Sequence, residues 1–221
     1  LVFEWTGNEG AGTTAYDTSG NGNNGTITGA TWSSDTPSKR RMAIRDEDAC
    51  LSMINDDYVQ ISNPGINITE FSVSFNAKTI WSGQNSGFND WLSINGAGGG
   101  EMVIETAGSS AKPAVYLISG FAGAGTISAV AGTEQAGRDW KKFHLVASKT
   151  GKYVRLYIGS FLIGLSTWNP SSEVISGIRG GNRGSSASRG ITAKMNRVRV
   201  YSQPLTADEI VDEVYSDIVN T

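Results

Sequence analysis

The sequence predicts an all-β sandwich closed by one short C-terminal helix, and three observations carry that expectation. Short runs that alternate apolar and polar residues recur through most of the 221 residues, as strands with one buried face require. Gly is abundant at 28 residues, Pro is scarce at 5, and charge is low at 18% against a soluble average of about 25%. Such a balance suits many strands joined by tight turns. Helical spacing does not intervene between the strands, which favours a sandwich over a parallel α/β sheet.

Each element follows from its own pattern. "LVFEW" opens as a strand and "GTITGATW" is a second candidate. "ACLSMI" and "DYVQIS" flank the turn "NDD". In "FSVSFNAKTIW", Phe71, Val73, Phe75 and Ala77 fall on one face, and Ser72, Ser74, Asn76 and Lys78 on the other. "WLSIN", "EMVIET" and "AVYLISG" form a further group, and "KKFHLVASK", "YVRLYIGSFLIG" and "MNRVRVYS" complete the series. Only "TADEIVDEVYSDIV" has helical spacing, with Ile210, Val211, Val214, Tyr215 and Ile218 on one side. Thr206 and Glu209 form a capping box at its start. "SGIRGGNRGSSASRG", residues 176–190, reads as a flexible, weakly basic loop. A chain of this length suits one domain over residues 1–221.

Composition excludes several function classes. A single cysteine, Cys50, rules out an internal disulfide framework and reads as a small strand residue. One Cys and one His cannot supply the usual zinc ligand set. A net charge of -3 argues against nucleic acid and anionic membranes as partners. No run approaches the roughly 20 apolar residues of a membrane-spanning helix. His144, opposite in phase to Phe143 and Leu145, reads as a solvated strand residue or one supporting a neighbour, rather than a catalytic base. "GAGGGE" and "RGGNRG" lack the lysine and the strand-to-helix setting of a phosphate loop.

Three stretches suit binding. Trp5, Trp32 and Trp140 lie in strand-like segments and read as core. Trp81 and Trp91 bracket a polar stretch containing Phe88, Asn89 and Asp90, and Trp168 lies in "STWNPSS". Aromatic rings beside carboxamides and carboxylates suit sugar recognition, because a ring stacks on the apolar C–H face while the polar groups take the hydroxyls. The same rings also suit pinning a loop to the sandwich, or a protein–protein contact. "DTSGNGNNG" is a turn cluster in which Gly supplies positive φ and Asn and Asp bond their own backbone. Asp17, Asn21 and Asn23 also supply the oxygen donors that calcium prefers.

A family resemblance runs through these segments in order. "AYDTSGNGNNGTITGATW" resembles the N-terminal signature of the laminin-G-like domains, within the concanavalin A-like lectin and glucanase superfamily. "DDYVQISN" with "FSVSFNAKT", then "WKKFHLVASKTGKYVRLYIGSFLIGLS", then "AKMNRVRVYSQPLTADEIVDEVY" are similar to its later strands and closing helix. Roughly residues 81–135 match nothing in that pattern. The resemblance implies a two-sheet antiparallel jelly-roll β-sandwich. It also implies a structural calcium near the opening loop, helped by an acid in the closing strand, where this chain has Asn196. Losing that acid removes one formal charge from the site.

Some glucanases of that superfamily carry a Glu-x-Asp-x-Glu strand whose outer glutamates are nucleophile and acid/base. "EMVIE" places Glu101 and Glu105 on one strand face but has Val103 where the middle acid would stand. Two exposed acids are therefore expected there, with a degenerate β-glucanase as the enzyme alternative. The expected function is a non-enzymatic binding or adhesion module recognising a glycan or cell-surface receptor. It would act outside the cell, on a cell or virion surface, alongside other proteins of a larger assembly. A purely structural fibre or decoration protein is the alternative.

Overall fold

A computed structural model gives the fold and describes residues 1–36, 49–54, 56–67, 69–79, 88–107, 113–118, 140–167, 174–182 and 192–219. The first strands are β1 (Phe3–Trp5), β2 (Thr14–Ala15), β3 (Gly25–Thr28), β4 (Thr31–Ser33), β5 (Cys50–Met53) and β6 (Tyr58–Ser62). The middle of the chain supplies β7 (Glu70–Thr79), β8 (Phe88–Gly96), β9 (Glu101–Ala107) and β10 (Pro113–Ile118). After them come β11 (Lys141–Ser148), β12 (Tyr153–Ile158), β13 (Phe161–Thr167), β14 (Ile175–Gly180) and β15 (Ala193–Tyr201), then the helix α1 (Ala207–Val219).

These strands form two antiparallel sheets. The larger runs β13-β12-β11-β7-β15-β5-β4, with β1 added beside β15. The smaller runs β10-β9-β8-β14-β6-β3-β2. The chain crosses between sheets early. "GTITGATW" is two strands, β3 in the smaller sheet and β4 in the larger, parted at Gly29 with φ +74°. The all-β sandwich with its short terminal helix is the fold that the alternation predicts.

The inner faces meet in one apolar cluster. Phe71, Val73, Phe75 and Ala77 from β7 enter it as their spacing requires, with Val198 and Val200 from β15. Its centre is aromatic. Phe143 stacks on Phe75 with centroids 5.2 Å apart and meets Trp91 at 5.0 Å. Each such ring buries on the order of 150–250 Å² and adds about 0.5–1.5 kcal/mol beyond that area. Trp5 is fully buried, and Trp32 packs against the cluster with centroids 6.3 Å from Trp5. Trp140 is only partly buried.

Helix α1 covers the outer face of the larger sheet, so that face is buried too. Ile210 and Leu205 pack on Val146 and Tyr157. The Ser72 hydroxyl donates to the Gln203 carbonyl and accepts the Leu205 amide, tying the approach to the helix onto β7. Glu209 accepts from the Thr206 amide while Thr206 Oγ1 accepts from the Glu209 amide, the reciprocal pair of a capping box. Glu213 reaches the sheet, where it pairs with Lys142 Nζ (3.1 Å) and Arg199 Nη1 (2.8 Å) and accepts from the Tyr201 hydroxyl. Arg199 also pairs with Glu4 of β1. Two expectations change here. Tyr215 is 59% exposed, because the helix docks through Ile210 and Glu213 instead. His144 is fully buried on this covered face and not solvated. Cys50 is buried as expected, and burial pushes its thiol up, away from thiolate chemistry.

A further correction concerns residues 176–190. The first part of that stretch is β14, hydrogen-bonded between β8 and β6 at the centre of the smaller sheet. Its glycines serve packing. A Cβ on Gly180 would stand 2.6 Å from Met195 Sδ of the opposite sheet. Residues 183–191 lie outside the described residues.

Candidate functional site

The outer face of the smaller sheet follows from register. Val59, Ile61, Leu92, Ile94, Met102, Ile104 and Ile178 point into the core, so their strand neighbours project the other way. Cross-strand pairing lines those neighbours up as Val103, Ser93, Arg179, Gln60, Thr26 and Thr14, from β9 across to β2. Burial divides this face in two. Asp90, Ser93, Val103 and Glu105 on β8 and β9 are each at most 1% exposed. On β14, β6 and β3, Arg179, Gln60 and Tyr58 are half-buried, and Ser62, Thr26 and Thr28 are exposed. The boundary runs through Arg179.

Arg179 is held in a fixed pose. Its Cζ lies 4.0 Å above the centroid of the Tyr58 ring, a cation–π contact. Its Nε donates to Gln60 Oε1 at 3.1 Å, and Nη2 donates to the same oxygen. The Gln60 amide is oriented in turn, because its Nε2 donates to Ser62 Oγ at 3.2 Å. One edge of the guanidinium is therefore occupied and the Nη1–Nη2 end is left over. Among the described residues no carboxylate pairs with it, whereas Arg199 on the other sheet pairs with two.

The aromatic candidates sort differently from the expectation. Trp91 is 1% exposed and packs on Phe143, so it is core and no sugar platform. The cause is a register shift between Asp90 and Leu92, a bulge that turns the Trp91 ring inward. Asp90 is also 1% exposed, beneath the covered half of the outer face. Phe88 and Asn89 begin β8, opposite Ala107 and Thr106, while their side chains lie outside the described residues, as do Trp81 and Trp168.

The opening loop is organised around Asp17. Its Oδ1 accepts the Glu4 amide (3.0 Å) and the Ser19 amide (2.9 Å), and its Oδ2 accepts the Asn23 amide (2.8 Å). Burial pushes the carboxyl up, but these bonds and the Ser19 side chain outweigh it and hold the acid below its usual range. Asn21 and Asn23 each donate through Nδ2 to the Val2 carbonyl, at 3.1 and 2.9 Å. Asn196 stands elsewhere, with its Nδ2 3.4 Å from the Ala49 carbonyl and its Cβ beside Gly7. A calcium shell needs oxygens converging on one point, whereas here the Asp17 oxygens face N–H donors and the two loop amides present nitrogen to a shared carbonyl.

The two acids of β9 do share a face, as strand periodicity requires. Glu105 is not exposed, though. It is 1% accessible and sits opposite Asp90, with Val103 between it and Glu101. β14, which supplies Arg179, is an element that sequence reasoning missed, hidden by its glycines. Its signal is the alternation of Ile178 with Gly177 and Arg179.

No protein-family model matches the chain. No curated protein matches it either. Solved structures do. Trypanosoma rangeli sialidase in complex with sialic acid aligns with a TM-score of 0.67 at 12% identity, over 98% of this chain and 33% of the sialidase. The binding domain of Paraclostridial Mosquitocidal Protein 1 gives 0.68 at 14% identity, over 98% of this chain and 52% of that one. The Botulinum Neurotoxin serotype G binding domain gives 0.63 at 12%, over 98% and 51%. The chain thus spans a third to about half of these larger chains. At such identities the likeness shows the β-sandwich fold.

Proposed function

We propose that this chain is a non-enzymatic binding module, a laminin-G-like sandwich that recognises a glycan or glycan-bearing receptor on an exposed cell or virion surface. One observation carries the reading. The open half of the smaller sheet presents an oriented cation, an aromatic ring, an amide and several hydroxyls on adjacent strands. Sugars are recognised by that mixture of convergent polar groups and aromatic surface. The Asp17-centred turn, the β12–β13 hairpin and the closing strand with its capped helix support the laminin-G-like assignment. The likeness to two toxin binding domains supports it at the level of fold. A non-catalytic role is supported by the burial of Glu105, out of a substrate's reach, and by Val103 standing where the middle acid of the glucanase strand would be.

The test is a broad glycan array probed with the full chain, first with calcium and then with a chelator. The expected result is saturable binding that Tyr58→Leu weakens about tenfold and that the chelator leaves unchanged. A blank array from folded protein contradicts the glycan reading. Trp81→Ala and Trp168→Ala, run beside it, report what the aromatic candidates outside the described residues add.

A second reading, as an assembly or decoration protein, is favoured by β13. This strand ends the larger sheet's order and exposes Phe161 (77%), Leu165 (58%) and Leu162 (48%). Sheet edges are usually guarded by charge or proline. Sedimentation of the chain as a defined oligomer, lost in Phe161→Lys, is the result that reading expects.

A further inference from the structure

We infer that Arg179 reads a carboxylate, so that the ligand of the open face is an acidic sugar; the inference rests on the glycan reading above and narrows it. The Nε and Nη2 bonds to Gln60 and the stacking on Tyr58 fix the guanidinium plane. The remaining Nη1–Nη2 end offers two parallel N–H donors, the geometry that matches the two oxygens of a carboxylate. A half-buried cation in mid-sheet normally has an acid beside it, because burial of an unpaired charge is costly. Arg179 instead has one neutral acceptor and a ring among the described residues. The ligand supplies the missing charge.

The surroundings choose among carriers. The outward positions of the open half are Thr14, Thr26, Thr28, Gln60, Ser62 and Gly177, beside Tyr58 and Arg179. None is aliphatic except through a threonine methyl. Peptide partners are held by apolar anchors at the centre of an interface, whereas hydroxyls and an amide suit the hydroxyls of a sugar. The carboxylate belongs to either a uronic acid or a sialic acid, since both present it beside ring hydroxyls.

The experiment measures affinity by calorimetry for oligouronates and for sialosides, each beside its carboxyl-reduced neutral twin, with an oligoglutamate as the peptide control. The wild-type chain is compared with Arg179→Lys and Gln60→Glu. Gln60→Glu places an acid against the guanidinium, so it competes with the ligand while giving Arg179 an internal partner. The expected result is binding of one acidic sugar class, weakened about 10- to 100-fold by carboxyl reduction and by either substitution. Gln60→Glu is expected to melt no lower than wild type, which separates lost binding from lost fold. The class that binds identifies the source of the carboxylate. Binding of acidic and neutral twins alike, or acidic binding untouched by Gln60→Glu, overturns the carboxylate reading and leaves the glycan module standing. Oligoglutamate binding equal to that of the sugar overturns the acidic-sugar class. Failure of every sugar overturns both readings.

Discussion

At the scale of single residues, most of what the sequence discloses is which side chains are buried. The β7 alternation placed Phe71, Val73 and Phe75 in the core because a strand has only two faces. Trp91 defeated the same logic, since one extra residue at the bulge reverses the face and leaves no mark in composition. Asp17 was visible as special, and it takes the turn role read for it: it accepts three backbone amides that would otherwise need other partners. Asp17→Ala is expected to cost about 2 kcal/mol, read as a melting temperature lowered by about 4–8 °C. Because its acid is held below the usual range, its contribution is present at neutral pH and fades as acid protonates it. Gly180→Ala brings a methyl 2.6 Å from Met195 Sδ, and overpacking of that kind is expected to cost about 1–3 kcal/mol in a urea titration.

At the scale of elements, the legible ones have strong periodicity and the illegible one has glycine. Helix α1 announced itself through its capping box and spacing, which chemistry confines to a helix start. Its docked face was legible at Ile210 but not at Glu213, which anchors it through charge that no apolar period encodes. β14 was hidden because Gly177 and Gly180 read as turn residues, although Gly180 is there to let Met195 approach. The helix anchor gives a pH prediction. Burial raises the Glu213 acid, but Lys142, the Tyr201 hydroxyl and Arg199 outweigh it and hold it at about 2, below the ordinary 4.5. A carboxyl lowered on folding stabilises above its unfolded value and loses that stabilisation as pH falls through its folded value. Helix docking is therefore expected to weaken from about pH 4.5 down to about 2, by on the order of 2 kcal/mol after discounting for solvent screening. Melting temperature against pH reports it, and Glu213→Gln is expected to flatten that slope while lowering stability at pH 7 by about 3 kcal/mol.

At the scale of the whole molecule, the sandwich was legible and its working face was not. Strand number, turn density and the absence of intervening helices limit the architecture to few choices. Which sheet face stays open depends on what covers each side. α1 closes the larger sheet, while the smaller sheet stays open over β14, β6 and β3. No local pattern records that division. The Asp17 loop being satisfied by its own backbone, the fold is expected to melt at one temperature with calcium or with chelator, and a rise of more than about 5 °C with calcium would place an ion there. The open face is the proposed binding site, and the most direct measurement maps the first sugar that binds onto the backbone amides by chemical-shift perturbation. Shifts are expected to concentrate at Thr26, Gln60, Ser62 and Arg179. Shifts confined to the β13 edge or to the Asp17 loop, with β14 and β6 silent, would contradict that proposal.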